Sequence, residues 1–317
     1  GLGNNPKLGV KVAEGVAPDQ ILYYIKAMWL TFRAYGNYEN RAKARTRYMQ
    51  EALGGPEAYA AAFRQKLSEV YQTEDLTLTG VETPAMTKTG VPDESLPAHP
   101  RVLAQKQPGL YAVAWHPIGG MPDPAVFCQV SDAMQTMQDA ELRLSPDEGA
   151  YLVNLNAEEA RTLLAMTEGN TAHSLFETSV ACIGAGTCQV GLRDSQALLA
   201  DCVAAVRAAR LPDGALPQIH ISGCPSSCGT HQTGALGFRG AAKVRDGRPQ
   251  PAFTLFAGGC SRQGHEAMGR EIGIMLWENI PAFLVALGQT VAAAGQDYAA
   301  WYAANPSAID TLAARYL

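Results

Sequence analysis

The sequence predicts a mixed chain, α/β shading into α+β, with a helical opening segment, a strand-rich middle and a closing stretch of alternating strands and helices. Three observations carry that expectation. Apolar residues recur at three- and four-residue spacing early in the chain, aromatic and β-branched runs begin at Gly109, and strand-like and helix-like periods alternate after Gly169. With 317 residues, 47% hydrophobic and 17% charged, the chain can bury two or three domain cores. A formal net charge of -5 argues against general nucleic-acid binding, so an anionic substrate would need positive charge gathered locally.

Pro18-Asp19 opens a helix in which Ile21, Leu22, Ile25, Met28, Trp29 and Phe32 form one apolar face, expected to pack on a core. Gly36-Asn37 ends it. Arg41, Lys43, Arg45 and Arg47 follow in a helical stretch running to Leu53, read as a solvated basic face with ion pairs to Glu39 and Glu51. A third helix covers residues 57–71. From Thr73 to Pro108 the prolines Pro84, Pro92, Pro97, Pro100 and Pro108 exclude a long helix and mark a linker or strap. Gly109 to Gly120 reads as a strand closed by His116-Pro117 and a glycine pair, with His116 read as structural in preference to a proton donor. A helix over 129–140, strands at 142–144 and 151–155, and a capping-box start at Asn156 and Glu159 come next. In the last part, a helix is expected over 189–210, strands at 218–222, 235–239 and 253–257, and helices at 272–277 and 280–294 with another reaching Leu317.

The chemistry concentrates in cysteine. Cys182-Ile-Gly-Ala-Gly-Thr-Cys188 is answered by Cys224-Pro-Ser-Ser-Cys228. Each pair is close enough for both sulfurs to face one centre, and the interval between the pairs suits a helix and a returning strand. Soft, anionic thiolates suit an iron-sulfur cluster or zinc. Structural zinc normally takes two to four intervening residues per pair, so the wider first gap favours the cluster, with zinc as the alternative. A helix starting after Cys188 would aim backbone N–H groups at the anionic centre. Cys128, Cys202 and Cys260 lack close partners and read as core packing. Thiols clustered in this way, seven in all, suit a reducing, cytoplasmic compartment. Neither a signal peptide nor a bilayer-length apolar run is present, and phosphate-loop, H-E-x-x-H and G-x-S-x-G patterns are missing.

The C-x5-C pair followed by G-C-P-x-x-C-G, with Gly223, Pro225 and Gly229 in place and Ile219-His220-Ile221 leading in, resembles the siroheme and 4Fe-4S sulfite/nitrite reductases. The resemblance implies that Cys182, Cys188, Cys224 and Cys228 hold a 4Fe-4S cluster and that Cys228 also ligates the siroheme iron. It implies six-electron reduction of sulfite to sulfide or nitrite to ammonia, with electrons from ferredoxin or a flavoprotein. Ser226 stands where the family commonly has Asn, which alters contacts to the macrocycle but not the cysteine ligands. The implied organisation is a helical tail of the first siroheme-binding half over 1–72, a proline-rich linker over 73–108, a ferredoxin-like half-domain over 109–168 and a cluster- and siroheme-binding α/β domain over 169–317. The opening Gly1-Leu-Gly-Asn-Asn-Pro6 looks like mid-loop sequence, so the chain is expected to be the C-terminal half of the enzyme, its N-terminal half being a missing partner. Two other readings use the same thiols: a stand-alone 4Fe-4S electron-transfer module and a zinc-held interaction domain.

Overall fold

The computed structural model describes residues 1–80, 86–96 and 98–317, so Pro84 and Pro97 of the proline-rich stretch lie outside the described residues. The chain divides into two compact units, Gly1–Ala85 and Met86–Leu317.

The first unit is helical: α1 (Ile21–Tyr35), α2 (Met49–Ala52) and α3 (Pro56–Thr73). Here α1 departs from expectation. Its buried stripe is Tyr23, Ala27 and Thr31, whereas Ile21, Ile25 and Trp29 face outward. Small Ala27 lets α3 approach with Tyr59, Phe63 and Val70, and Tyr23 stacks on Tyr71 while its hydroxyl bonds Asp75. Only one of two apolar faces is used, and Lys26 and Arg33 lie against the outer Trp29 ring. The basic stretch is not one helix either. Short 3-10 turns at Arg41–Lys43 and Thr46–Tyr48 break it, because Asn37 and Asn40 side chains accept backbone N–H groups and compete with helical pairing. Arg47 is buried over the Tyr48 ring, so the solvated-face reading fails there, although it makes the expected ion pair with Glu51; Arg45 stays exposed and donates to Leu2 O.

In the second unit, β1 (Val102–Ala104), β2 (Tyr111–Trp115), β3 (Glu141–Leu144) and β4 (Ala150–Leu155) form an antiparallel sheet in the order β1-β2-β4-β3. β1 falls inside the stretch expected to be a linker. Three residues bounded by Pro100 and Pro108 suffice for an edge strand, where a missing donor on one side costs nothing. Between β2 and β3 lies α4 (Pro124–Met134), and α5 (Ala157–Thr167) follows β4 from the expected Asn156/Glu159 capping box. Val113, Trp115, Leu152, Leu155 and Leu163 are the core between this sheet and its helices.

The second sheet runs β5 (Val180–Ala181), β6 (Ile219–Ser222), β7 (Leu236–Arg245), β8 (Arg248–Ala257) and β9 (Arg270–Leu276), in that order. β5, β6 and β7 are parallel; β8 and β9 are antiparallel additions. α6 (Ser195–Ala209) makes the β5-to-β6 crossover, and α7 (Ile280–Ala293), α8 (Tyr298–Ala304) and α9 (Ala308–Ala313) complete the unit. Leu198 and Val203 of α6 and Phe283 and Leu287 of α7 bury against Ile219, Ile221, Phe238 and Phe253. The 272–277 segment is therefore a strand and not a helix. Gly273 weakens helix propensity there and leaves room for the Leu317 side chain, while the backbone pairs along β8. No described helix is long and apolar enough to cross a membrane.

Candidate metal-cluster site

Parallel strands end on the same edge of a sheet, and here two such ends carry the thiols. Ala181 pairs with Ile221, so Cys182 leaves β5 beside the point where β6 runs out into Gly223 and Cys224. The Cys182 N–H donates to Ile221 O at 3.0 Å, and Gly223 N–H donates to Cys182 Sγ at 3.2 Å. The first loop then turns tightly, with Thr187 and Cys188 N–H both on Gly184 O. Gly184 has φ +67° and abuts the Ser195 backbone, where a β-carbon has no room.

α6 begins six residues later than expected, at Ser195 with Asp194 as cap, because residues 189–193 are spent elsewhere. Leu192 and Arg193 N–H groups both donate to Gly223 O, at 3.1 and 2.9 Å, and Ala185 N–H donates to Arg193 O. These bonds tie the first cysteine loop to the second. Ser195 at the helix start donates to Cys182 O at 2.5 Å and lies 3.1 Å from Cys182 Sγ, so the helix N-terminus does reach the site.

The second loop, residues 223–235, joins parallel β6 and β7 without a helix. It folds back on the sheet face opposite α6 and α7. Gly229 lies on Ile221 O, Gly237 on His231 O and Gly234 on the His220 ring, contacts that only a residue lacking a side chain permits. Ser227, at φ +63°, bonds Gln232, His220 Nδ1 meets Thr230 Oγ1 at 2.7 Å, and His231 packs on Phe256. His231 is fully buried, neither ring nitrogen has a hydrogen-bond partner among the described residues, and burial with nearby Arg239 and His220 pushes its pKa down to about 4.

The loops that carry the four predicted thiols lie side by side, joined by the Gly223 N–H to Cys182 Sγ bond. Burial raises the Cys228 thiol, and the charges of Cys182, Cys224 and Cys188 raise it further. Cys224 is buried, Cys182 and Cys188 are half-buried, and Cys228 is exposed. Among the described residues no group of three or more His, Cys, Asp or Glu side chains is placed to hold a metal ion. A tetrahedral zinc site would need sulfurs only ~3.8 Å apart, from a Zn–S bond of about 2.3 Å. The two loops supply four thiols, the donor type and number that a four-iron cluster takes. Of the other cysteines, Cys202 is buried in α6 as expected, but Cys128 is exposed on α4 and Cys260 is half-buried, so neither of these two is simple core packing.

His116 has the structural role expected of it. Its Nε2 is 2.7 Å from Asp147 O and its carbonyl accepts from Ala172 N–H. Sequence reasoning missed Glu148, whose carboxylate accepts from the Ala181 N–H at 3.0 Å, next to Cys182, and which burial pushes up to about 7. It also missed Gln196, which donates to Gly119 O and Ala181 O. No local pattern marks either, since both contacts join segments distant in sequence.

Residues 1–73 match the family described as "Nitrite and sulphite reductase 4Fe-4S domain". Over 256 residues the chain is 27% identical to a ferredoxin--nitrite reductase of Synechococcus elongatus, covering 79% of this chain and 46% of that protein. It is 25% identical over 269 residues to sulfite reductase [ferredoxin] 1 of Mycolicibacterium paratuberculosis, covering 82% and 46%. By these matches the chain is similar to ferredoxin-dependent nitrite and sulfite reductases. Its fold matches the solved structure of the Mycobacterium tuberculosis NirA protein with a TM-score of 0.70 at 23% identity, over 90% of this chain and 52% of that one. The chain thus spans about half the length of the curated relatives it matches. The family match falls on the helical unit, and the relatives' alignments extend over most of the chain.

Proposed function

We propose that this chain carries the 4Fe-4S cluster of a siroheme-dependent reductase acting on nitrite or sulfite. The observation that supports the reading is that the loop carrying Cys182 and Cys188 and the loop carrying Cys224 and Cys228 leave adjacent parallel strands and are hydrogen-bonded to each other through Gly223. When bound, siroheme and the cluster would supply the chemistry for a six-electron reduction of the anion, the electrons coming from the donor, with Cys228 as the thiolate that would serve both. The chain's own residues hold that centre: Gly223 N–H and Ser195 fix Cys182, Gly223 O ties the loops, and the α6 N-terminus directs its dipole at the thiolates. Cys228, the exposed thiol of the four, is the one free to ligate siroheme iron as well.

In this reading residues 109–168 are the ferredoxin-like half-domain, extended by β1, residues 169–317 bind the cofactors, and the chain is one half of the enzyme. Ferredoxin as donor is supported by the relatives' names, and the cytoplasm is the compartment that keeps the thiols reduced. Sulfite is the favoured substrate, and the complete enzyme should turn over sulfite faster than nitrite; the reverse order reassigns it. Anaerobic reconstitution of the chain should give a brown protein with about four irons and matching sulfide, as four-thiolate ligation requires. Each of the four Cys→Ser changes should impair it, and Cys128→Ser should not. Stoichiometric zinc without sulfide would refute the reading.

A further inference from the structure

The antiparallel sheet has two edges, and they are finished differently. β1 is a three-residue strand flanked by Pro100 and Pro108, and proline blunts an edge by withholding donors. β3, at the other edge, meets no proline until Pro146, beyond its end. In the β3–β4 hairpin the Ser145 N–H donates to Gly149 O, so by two-residue alternation the backbone groups of Leu142 and Leu144 point away from β4, along the edge that no described strand pairs. Side chains alternate as well. Leu142 and Leu144 share the face that α4 packs on, where Phe127, Met134, Ala140 and Leu142 line a groove of about 340 Å³, yet Leu144 is 83% exposed and Phe127 44%. Glu141 and Arg143 stand on the opposite face, exposed, and pair with each other along the strand at 2.8 Å.

This pattern is complementary to itself. A second β3 laid antiparallel about a twofold axis through Leu142 sets Glu141 of each copy opposite Arg143 of the other, Leu142 opposite Leu142, and Leu144 opposite Ala140. The two Leu142 residues then exchange both backbone hydrogen bonds, since their groups already point outward. Other registers fail. An axis through Glu141 or Arg143 puts like charges opposite each other and needs backbone groups that face β4; one through Leu144 brings in Pro146, which has no N–H; a one-residue slip sets Leu142 against a charged residue. We propose that β3 is a homodimerisation edge: its partner is a second copy of this chain, and two four-stranded sheets join there into one of eight strands. The inference needs no group bound at the cysteines.

The test is sedimentation equilibrium of the full chain from about 1 μM to about 1 mM, a range that spans weak specific association, with melting temperature as the check on folding. The wild type should pass from monomer to dimer within it. Arg143→Glu and Glu141→Arg, both at exposed positions, each turn two facing ion pairs into like-charge pairs and should raise the dissociation constant about tenfold with little change in melting temperature. An equimolar mixture of these two variants should associate about as tightly as the wild type, because a strand with two cations then faces a strand with two anions. Leu144→Lys, at a position already 83% exposed, should weaken the dimer likewise. A wild-type chain that stays monomeric throughout overturns the inference and leaves the edge to a strand of a different chain. A dimer that none of the three variants weakens, or a mixture of folded charge variants that associates as weakly as its components, overturns it too.

Discussion

The two sheets of the second unit use their ends differently. In the antiparallel β1-β2-β4-β3 sheet, strand ends alternate from edge to edge, and the β3–β4 hairpin closes on itself through Ser145 and Gly149. In the other sheet, β5, β6 and β7 all run the same way, so the segments that leave β5 and β6 emerge side by side. Cysteines far apart in sequence meet on the parallel edge. The β3–β4 hairpin of the antiparallel sheet reaches that edge through Glu148, whose carboxylate accepts from the Ala181 N–H. A sheet of local pairings makes a stable platform, and parallel strands make a place where distant loops converge.

The largest expected effect sharpens that contrast. Phe238 and Leu152 are both fully buried, one under the cysteine loops' sheet and one in the antiparallel core. Phe238→Ala should cost about 4 kcal/mol in urea denaturation and Leu152→Ala about 3 kcal/mol. Only the first should also reduce cluster content in the protein that remains folded. Equal cluster loss in both would mean that the two sheets act as one body. Next comes Gly229→Ala, whose new methyl would press on Ile221 O, the acceptor of the Cys182 N–H. It should destabilise by about 3 kcal/mol and abolish iron retention. Gly247→Ala, at φ +73° in the open β7–β8 turn, should cost only about 1 kcal/mol from backbone strain and leave iron binding unchanged.

The difference between the sheets also explains what could be read from sequence. The capping box at Asn156, the strand at β2 and the four thiols depend on neighbours within a few residues, and their patterns survive in a one-dimensional reading. Residues 272–277 read as a helix in sequence because short apolar runs fit either period, and pairing of β9 with β8 decides for the strand. Apolar Ile25 and Trp29 pointed to a buried face, yet Ala27, the small residue, marks the side that α3 approaches. Residues 189–193 have helical composition, but their N–H groups are needed by Gly223 O, a partner brought near only by the parallel pairing of β5 with β6. Arg193, Glu148 and Gln196 were invisible for the same reason.

Acid should weaken the parallel sheet through His231. An ordinary histidine titrates near 6.5; burial holds this one neutral down to about 4. Above 6.5 neither the folded nor the unfolded chain is protonated there, and its contribution to stability is complete. As pH falls from 6.5 towards 4 the unfolded chain binds a proton that the folded chain refuses, so stability drops by up to ~1.4 kcal/mol per pH unit. His220, lowered in the same direction by burial, adds to the trend. His231→Leu should flatten this limb in urea melts between pH 7 and 4.5. An unchanged slope in the variant would place the acid sensitivity elsewhere.

The smallest effect separates two helix caps of similar chemistry. Asn156 caps α5 in the antiparallel layer through Glu159 N–H, and Asp194 caps α6 beside the cysteines through Ala197 N–H. Replacing either by Ala should cost about 1 kcal/mol, the usual worth of a side-chain cap. Their consequences for the cluster should nevertheless differ. Asn156→Ala frays a helix remote from the thiols and should leave iron content and the rate of iron loss to a chelator unchanged. Asp194→Ala loosens the turn that holds Ser195 against Cys182, and it also removes a carboxylate from the loop that carries the thiolates. The first consequence should speed iron release and the second should raise the cluster's electron affinity slightly, so chelation kinetics and redox titration read them independently. If both caps behave alike in both measurements, the start of α6 is only a helix terminus and has no part in holding Cys182.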